Sequence, residues 1–285
     1  MIDTIHAAQL RKSYGRRTVL DDVSVRVGQG EVFALLGPNG AGKTTTIGIL
    51  STLIAPDGGS ARVAGFDVVH DRTEVTRRIA LTGQFAAVDD VLTGRENLVM
   101  VGRLRGLSRS GAKDRARQLL EQFGLTSAGG RRVSTYSGGM RRRLDLALSF
   151  VTTPDVLFLD EPTTGLDTHH RRELWEVIRS LARAGVTVLL TTQYLEEADE
   201  LADRVAVLDE GRIVAEGTPA ELKARAGQAR VQLHDPSGAV HADAPTDGSL
   251  RGIQEALARW QADGLTGDVS VRRPTLDDVF HTLTA

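Results

Sequence analysis

Cysteine is absent from the 285-residue chain. A chain without thiols forms no disulfide bonds, no thiolate zinc sites and no cysteine nucleophiles, and it is at home in a reducing compartment. Also absent is any run of about 18 consecutive apolar residues, the length that a membrane-spanning helix requires. The N-terminus carries Asp3 and lacks the basic region and apolar run of a signal peptide. We therefore expect a cytoplasmic protein.

Neither sign of charge dominates the sequence. Lys and Arg total 35 against 37 Asp and Glu, which gives a formal net charge of -2 at pH 7. Such a balance creates no basic field, so we expect no nucleic-acid partner. The hydrophobic share of 41% and the charged share of 25% are those of an ordinary globular protein. At roughly 150 residues per domain, the length corresponds to about two domains.

Short apolar runs alternate with amphipathic segments up to about residue 217, which predicts an α/β domain. The segments 31–37, 155–162 and 185–192 are continuously hydrophobic, as in central strands that helices cover on both faces. Segment 204–217 contains two short apolar runs around a turn and predicts a hairpin. Between about residues 90 and 153 only helical spacing occurs, which predicts an inserted helical subdomain.

After Lys223 the pattern changes to short strands, turn residues and one helix near residues 250–262. We therefore predict two domains, 1–225 and 226–285, of which the second is a small α+β accessory domain. Apolar residues recur at helical spacing in its last segment: Leu276, Val279, Phe280 and Leu283. Two interpretations of this stripe stay open, packing within its own domain and contact with a neighbouring protein.

A glycine-rich segment, GPNGAGKTT, lies between a predicted strand and a predicted helix. It has the spacing of a phosphate-binding loop, whose glycines let backbone N–H groups and the helix N-terminus converge on an anion. We predict that Lys43 contacts the β and γ phosphates and that the Thr44 hydroxyl binds Mg²⁺. The predicted phosphate-binding residues are Gly37, Pro38, Asn39, Gly40, Ala41, Gly42, Lys43, Thr44 and Thr45.

Two acidic residues, Asp160 and Glu161, end the apolar run DVLFLDEP. A parallel sheet presents its ligand crevice at the ends of its strands, so we predict that Asp160 holds Mg²⁺ and that Glu161 polarises an attacking water. Alone, two carboxylates at a strand end have an alternative explanation as solvated surface groups. Beside a phosphate loop the functional interpretation is favoured, because a bound Mg²⁺ offsets their mutual repulsion.

With these two motifs, residues 4–225 resemble the ATP-binding cassette (ABC) ATPases. The segment YSGGMRRR resembles the family signature at Ser137, Gly138 and Gly139. The resemblance implies an ABC-type P-loop ATPase fold with an inserted helical subdomain. It also implies a head-to-tail homodimer in which the signature residues of one chain contact the γ-phosphate of ATP bound by the other chain.

Four further segments match the family in the same order along the chain. Tyr14 resembles the aromatic residue that stacks on adenine, and Gln84 resembles the glutamine that contacts Mg²⁺ and the nucleophilic water. The segment 165–167 resembles the loop that crosses the dimer interface. Gln193 stands where most of the family has a histidine that holds the γ-phosphate. Glutamine is neutral, yet its NH₂ group donates a hydrogen bond, so the resemblance implies contact without the charge.

Four longer segments resemble one subfamily, the ATP-binding subunits of daunorubicin and doxorubicin resistance exporters. They are LTGQFAAVDDVLTGRENL, YSGGMRRRLDLALS, TTQYLEEADELADRV and RRPTLDDVFHTLTA. The resemblance implies that ATP hydrolysis powers efflux of a drug-like or lipid-like compound through a separate integral membrane subunit. That subunit would dock near residues 84–96 and hold the chain at the inner face of the membrane. The resemblance does not specify the cargo.

Other interpretations are disfavoured. A non-transport ABC ATPase acting on ribosomes or nucleic acid fits poorly with a single cassette and an acidic balance. A nucleotide-binding regulator without turnover fits poorly with an intact Glu161. The pair His169 and His170 is not expected to bind a metal, because adjacent residues at a helix start point about 100° apart and no third ligand is near.

Overall fold

A computed structural model describes residues 3–83 and 88–284 of the chain, with side chains described up to residue 280. The chain divides into two compact units, one ending at Glu216 and the other beginning at Gly217. This division precedes the predicted boundary after residue 225, because the helix Pro219–Ala226 packs against the last helix of the second unit. Among the helices in the described ranges, none combines the length and the apolar character needed to cross a membrane.

The secondary structure alternates between strands and helices through the first unit. The described strands are β1 Asp3–Tyr14, β2 Arg17–Gly28, β3 Val32–Leu36, β4 Gly58–Val63, β5 Phe66–Asp67, β6 Ile79–Thr82, β7 Val156–Asp160, β8 Thr187–Thr192, β9 Arg204–Asp209, β10 Arg212–Gly217, β11 Ala229–His234, β12 Val240–Thr246 and β13 Asp268–Arg272. The described helices are α1 Lys43–Leu50, α2 Arg72–Arg78, α3 Gly94–Leu104, α4 Arg109–Gln122, α5 Gly138–Ser149, α6 Thr168–Arg183, α7 Leu195–Leu201, α8 Pro219–Ala226, α9 Leu250–Ala262 and α10 Leu276–Thr284.

A six-stranded sheet, in the order β10-β9-β3-β8-β7-β6, forms the centre of the first unit. Strands β3, β7 and β8 are buried along their whole length, which is why their sequences are continuously apolar. They run parallel, and so do β6 beside β7 and β9 beside β3. The carboxyl ends of these strands therefore meet at one edge of the sheet, where an α/β fold places its ligands.

A second sheet, in the order β2-β1-β4-β5, is antiparallel. Alternate residues of its long strands, such as Ile5 and Val23, point into a core that also contains Ile49 of α1 and Phe158 of β7. This shared core fixes α1, and with it the preceding glycine-rich loop, against the central sheet.

The segment between β6 and β7 is helical. Helices α3, α4 and α5 pack against one another, and each begins at a hydroxyl cap: Thr93, Ser108 and Ser137. Apart from an isolated bridge between Thr93 and Arg132, the described part of this segment contains no strand pairing. It forms the helical subdomain of the α/β fold.

The second unit is a small α+β structure. Its antiparallel sheet, in the order β12-β11-β13, buries Val231 and Leu233 against Ala256 and Trp260 of α9. The last helix, α10, packs against α8, and its Leu276 and Val279 are buried. Packing within the unit therefore accounts for these two members of the C-terminal apolar stripe.

Candidate active site

Three neighbouring strands deliver the predicted site residues to one edge of the central sheet. The Gly37 amide donates a hydrogen bond to the Thr192 carbonyl oxygen at 3.2 Å, which joins the start of the glycine-rich loop to the end of β8. The Glu161 amide donates to the Thr191 carbonyl oxygen at 3.1 Å, which joins the end of β7 to β8. Gln193, directly after β8, lies at the same edge.

The glycine-rich loop owes its path to residues without a side chain. Gly40 and Gly42 adopt φ values of 86° and 112°, a left-handed region that glycine enters without strain. At Gly37 an added Cβ would lie only 2.2 Å from the Leu208 carbonyl oxygen. The loop therefore folds tightly enough for α1 to begin at Lys43, with its N-terminal amides turned to the cavity side.

Lys43 is buried, with 4% of its surface exposed. Its ammonium group donates to the carbonyl oxygens of Gly37 at 2.8 Å and Pro38 at 3.0 Å. The same nitrogen lies 3.3 Å from Glu161 Oε1. The cation is thus folded over the loop that would hold phosphate and is in contact with the predicted catalytic carboxylate.

Asp160 is a buried carboxylate held by two hydroxyl groups. Thr191 Oγ1 donates to Asp160 Oδ1 at 2.6 Å, and Thr44 Oγ1 donates to the same oxygen at 3.3 Å. The structure therefore brings Thr44 and Asp160 together, although 116 residues separate them in sequence. A hydroxyl and a carboxylate are hard oxygen donors of the kind that Mg²⁺ prefers, so these two residues fit a magnesium ion.

Glu161 is held in a strained conformation. Its φ of 47° lies in the left-handed region, which costs a non-glycine residue about 1–2 kcal/mol. Its amide also donates to Thr191 Oγ1 at 3.1 Å, and its Oε2 accepts a hydrogen bond from Thr164 Oγ1 at 3.3 Å. These contacts fix the carboxylate at the cavity rather than in open solvent.

A cavity of about 260 Å³ opens beside the loop. It is lined by Arg17, Val19, Asn39, Gly40, Gly42, Lys43, Thr44, Thr45 and Glu161. Arg17 was missed by the sequence analysis. An added Cβ at Gly40 would lie 3.5 Å from Arg17 Nη2, so the guanidinium group borders the loop. One feature of the sequence could have identified Arg17: it follows Tyr14 by three residues. In the structure the two residues pair across the hairpin between β1 and β2.

Three further residues were predicted to contact the nucleotide or its Mg²⁺, namely Tyr14, Gln193 and Gln84. Tyr14 ends β1 as the pairing partner of Arg17, and its ring is 51% exposed. It does not line the cavity, and neither does Gln193, which is half-buried. Gln84 lies outside the described residues.

The signature residues begin α5. Ser137 Oγ accepts a hydrogen bond from the Met140 amide at 3.3 Å, while Ser137 and Gly138 are exposed. At Gly139 an added Cβ would lie 2.3 Å from His170 Cδ2, so α5 approaches the start of α6 closely. Within their own chain, Ser137, Gly138 and Gly139 do not line the cavity beside the loop.

The histidine pair has a structural explanation. His170 Nδ1 lies 2.7 Å from Asp167 Oδ2, and hydrogen bonds from His170, the backbone one first, hold the pKa of Asp167 below its usual value. His169 is exposed beside Glu173. In the part of the chain that the structure describes, no group of three His, Cys, Asp or Glu side chains could hold a metal ion.

Two buried charged residues near the site were also missed. Glu197 on α7 is fully buried, its Oε1 accepts a hydrogen bond from Trp175 Nε1 at 3.1 Å, and burial raises its pKa. Arg142 on α5 is 8% exposed and donates to two backbone carbonyl groups. The Trp175 partner of Glu197 and the two backbone partners of Arg142 lie 20 or more residues away in sequence, so no local pattern identifies these contacts.

A larger groove of about 860 Å³ lies between α3 and α4. Apolar side chains in it come from Leu92, Val99 and Met100, and charged ones from Arg95, Glu96, Lys113, Asp114 and Arg117. None of the glycine-rich loop residues lines it. The groove shares Leu92, Arg95 and Glu96 with the predicted docking segment.

The chain is similar to known ATP-binding proteins. A family model described as "ABC transporter" matches residues 20–164. The chain is 50% identical to the daunorubicin resistance ATP-binding protein DrrA2 of Streptomyces coeruleorubidus, over 98% of this chain and 94% of that protein. It is 55% identical to the daunorubicin/doxorubicin resistance ATP-binding protein DrrA of Streptomyces peucetius, over 84% and 73%. It is also 48% identical to the Nod factor export ATP-binding protein I of Paraburkholderia xenovorans, over 75% and 70%.

Solved structures share the fold. The structure of an ATP-binding subunit of an ABC transporter aligns with a TM-score of 0.68 and 29% identity, covering 78% of this chain and 92% of that one. The structure of cbiO1 from Clostridium perfringens, part of an ABC transporter complex, aligns with a TM-score of 0.74 over 79% and 92%. Its 23% identity shows likeness of fold alone.

Proposed function

Because the chain belongs to the ABC transporter family, we propose that it is the ATP-hydrolysing subunit of an exporter that moves a drug-like or lipid-like compound through a separate membrane subunit. The observation that carries the proposal is the meeting of Lys43, Thr44, Asp160 and Glu161 at one sheet edge. The names of the Streptomyces relatives support a drug-like cargo, while the Nod factor relative indicates that similar subunits serve other compounds.

The loop and Lys43 bind the phosphates of ATP. The first residues of α1 line the cavity, so its N-terminal amide groups and the Lys43 ammonium are available to an anion there. Thr44 and Asp160 would hold Mg²⁺, which neutralises charge that develops on the β and γ phosphates. Arg17 adds a second positive charge at the cavity wall.

Glu161 activates the water that attacks the γ-phosphate. Its carboxylate accepts a hydrogen bond from the water and draws the proton as the new P–O bond forms, while the bond from the γ-phosphorus to the β–γ bridging oxygen breaks and ADP leaves. Thr164 Oγ1 and the backbone contact with Thr191 fix the direction of this carboxylate. Gln193 would donate an amide hydrogen bond to the γ-phosphate, and Gln84 would contact Mg²⁺ and the water. The roles of both glutamines are inferred from the family resemblance.

Two copies of the chain form the working unit, paired head to tail around two ATP molecules. Ser137, Gly138 and Gly139 would contact the γ-phosphate held by the opposite chain, and Tyr14 would stack on the adenine of its own. The exposed N-terminus of α5, which lies outside its own chain's cavity, supports this arrangement. Its amide groups and small residues suit close approach of an anion.

The groove between α3 and α4 would receive the membrane subunit. Its apolar side chains would pack against the apolar face of a short amphipathic helix, and its charged side chains would pair with polar residues of that helix. Docking there would hold the chain at the inner face of the membrane.

The C-terminal unit is proposed as an accessory module rather than part of the nucleotide site. All residues that line the cavity belong to the first unit, and the second unit has a small core of its own.

Phosphate release from Mg-ATP tests the proposal. Glu161→Gln keeps the size of the side chain but removes the base, so we expect turnover to fall by ~10² or more while ATP binding persists. Lys43→Ala should instead weaken ATP binding. Glu196→Gln, at an exposed position on α7, is the matched control and should keep the wild-type rate. Equal turnover in the wild type and Glu161→Gln would remove Glu161 from the mechanism.

A further inference from the structure

A buried arginine, Arg142, lies on α5, the helix that begins with the signature residues and is called the signature helix below. It connects the segment after β6 to the segment after β7. Arg142 Nε donates to the Pro162 carbonyl oxygen at 3.0 Å, and its Nη1 donates to the Gly83 carbonyl oxygen at 2.6 Å. Pro162 directly follows Glu161, and Gly83 directly precedes Gln84 in the sequence. One side chain therefore ties α5 to the backbone next to both residues.

Nearby carboxyl groups offset only part of the electrostatic cost of burying this guanidinium group. Burial lowers the pKa of Arg142, while the charges of Asp145, Glu197 and Asp160 act in the opposite direction. Asp145, one turn along the same helix, is 3.4 Å from Nη1. Arginine stays protonated in proteins, so both bonds to backbone carbonyl groups are charge-assisted and stronger than neutral ones.

This contact depends on the shape of arginine and not only on its charge. The donors of a planar guanidinium group diverge in a fixed fork, so they can reach two separate backbone segments, whereas a lysine ammonium is a compact point charge. The Arg142 Nη2 atom has no hydrogen-bond partner among the residues that the structure describes. Burying an unpartnered donor costs stability, so packing alone does not explain this residue.

We propose that Arg142 is a positioning residue for ATP hydrolysis. Its two hydrogen bonds hold the backbone next to Glu161 and the backbone next to Gln84 at fixed positions relative to the signature helix. The inference rests on the proposed function. Ser137–Gly139 of one chain would contact the ATP of the opposite chain, whereas Glu161 acts on the ATP of its own chain. Arg142 thus links the helix that would contact one bound ATP to the segment that carries the catalytic base for the other bound ATP.

The experiment compares two variants of the full-length chain with a matched control. Arg142→Lys keeps the charge but loses the fork, and Arg142→Gln loses both. The control is Arg115→Gln: Arg115 on α4 also donates to a backbone carbonyl group, that of Phe150 at 2.7 Å, and burial also lowers its pKa. Its hydrogen bonds reach neither Gly83 nor Pro162. For each protein, kcat and KM for ATP, ATP binding and the unfolding temperature are measured.

We expect both Arg142 variants to lose about tenfold or more in kcat, with KM for ATP within about threefold of the wild type, because Arg142 does not line the nucleotide cavity. Arg115→Gln should keep kcat even where its unfolding temperature falls as much. Wild-type kcat in Arg142→Lys would overturn the inference, and so would an equal loss of kcat in Arg115→Gln.

Folding and function can be separated in this design. If Arg142→Gln does not fold, Arg142→Lys decides, because it keeps a cation beside Asp145. Absence of phosphate release from Mg-ATP in the wild type would refute the proposed function itself. A low rate in Glu161→Gln together with wild-type kcat in Arg142→Lys would refute only the role of Arg142.

Discussion

Individual cations set the charge of the nucleotide cavity. Lys43 shares its ammonium group among two carbonyl oxygens and Glu161, so part of its charge is already compensated. Arg17 is exposed at the cavity wall, and no carboxylate within the described ranges forms an ion pair with it. It is therefore available to an anionic ligand.

Arg17→Ala is predicted to raise KM for ATP by about three- to tenfold with little change in kcat, the scale of losing one partly exposed charge contact. The shift should shrink as salt is added, because salt screens exposed charges. Arg16→Ala is the matched control, since Arg16 is exposed next door and does not line the cavity. An equal rise in KM in Arg17→Ala and Arg16→Ala would show that the general electrostatic field, and not a contact with Arg17, affects ATP binding.

At the scale of residues, sequence spacing predicted those parts of the site that are local. Lys43 and Thr44 follow from the loop pattern, and Asp160 and Glu161 from the end of an apolar strand. Arg142 could not be found in this way. Its partners Gly83 and Pro162 are 59 and 20 residues away, and no periodic pattern encodes such a contact.

Helix α7 is the element that follows Gln193, and a buried carboxylate ties it to α6. Glu197 Oε1 accepts a hydrogen bond from Trp175 Nε1, and burial raises the pKa of Glu197 above its ordinary value of 4.5. The folded chain therefore keeps a proton on Glu197 at pH values where the unfolded chain has lost it. Stability is lost as the pH rises from the ordinary pKa to the raised one.

Glu197→Gln removes this titration while an amide oxygen can still accept the Trp175 hydrogen bond. We predict that the unfolding temperature of the variant, relative to the wild type, increases as the pH rises from about 5 to 8. Thermal denaturation across this range measures the difference. Glu196→Gln, at an exposed position on the same helix, should show no such trend. A difference that stays constant or falls with pH would contradict the account.

At the scale of elements, sequence predicted the central sheet better than the antiparallel one. Strands β3, β7 and β8 are buried on both faces and leave continuous apolar runs. Strand β1 alternates between buried and exposed residues, and its pairing with β2 shifts register four times. Its other partner, β4, is about 50 residues away in sequence, so tertiary packing fixes the second sheet.

At the scale of the whole molecule, the residues proposed to form the reaction centre fall into two groups that lie apart in one chain. Lys43, Asp160 and Glu161 meet at the cavity, whereas Ser137 and Gly138 are exposed elsewhere at the start of α5. Under the proposed function a complete site needs a second chain, and ATP would be the ligand that bridges the two. The central claim is that ATP binding joins two copies and hydrolysis separates them.

Sedimentation of Glu161→Gln tests this claim most directly, because blocked hydrolysis retains the bridging nucleotide. The account predicts a dimer with Mg-ATP and a monomer with ADP. Adding Ser137→Arg should abolish the dimer while each chain still binds ATP, since bulk and charge then enter the phosphate contact. Adding Ser110→Arg, at the exposed start of α4, should leave the dimer intact. A monomer with Mg-ATP in Glu161→Gln, or a dimer that survives Ser137→Arg, would contradict the account.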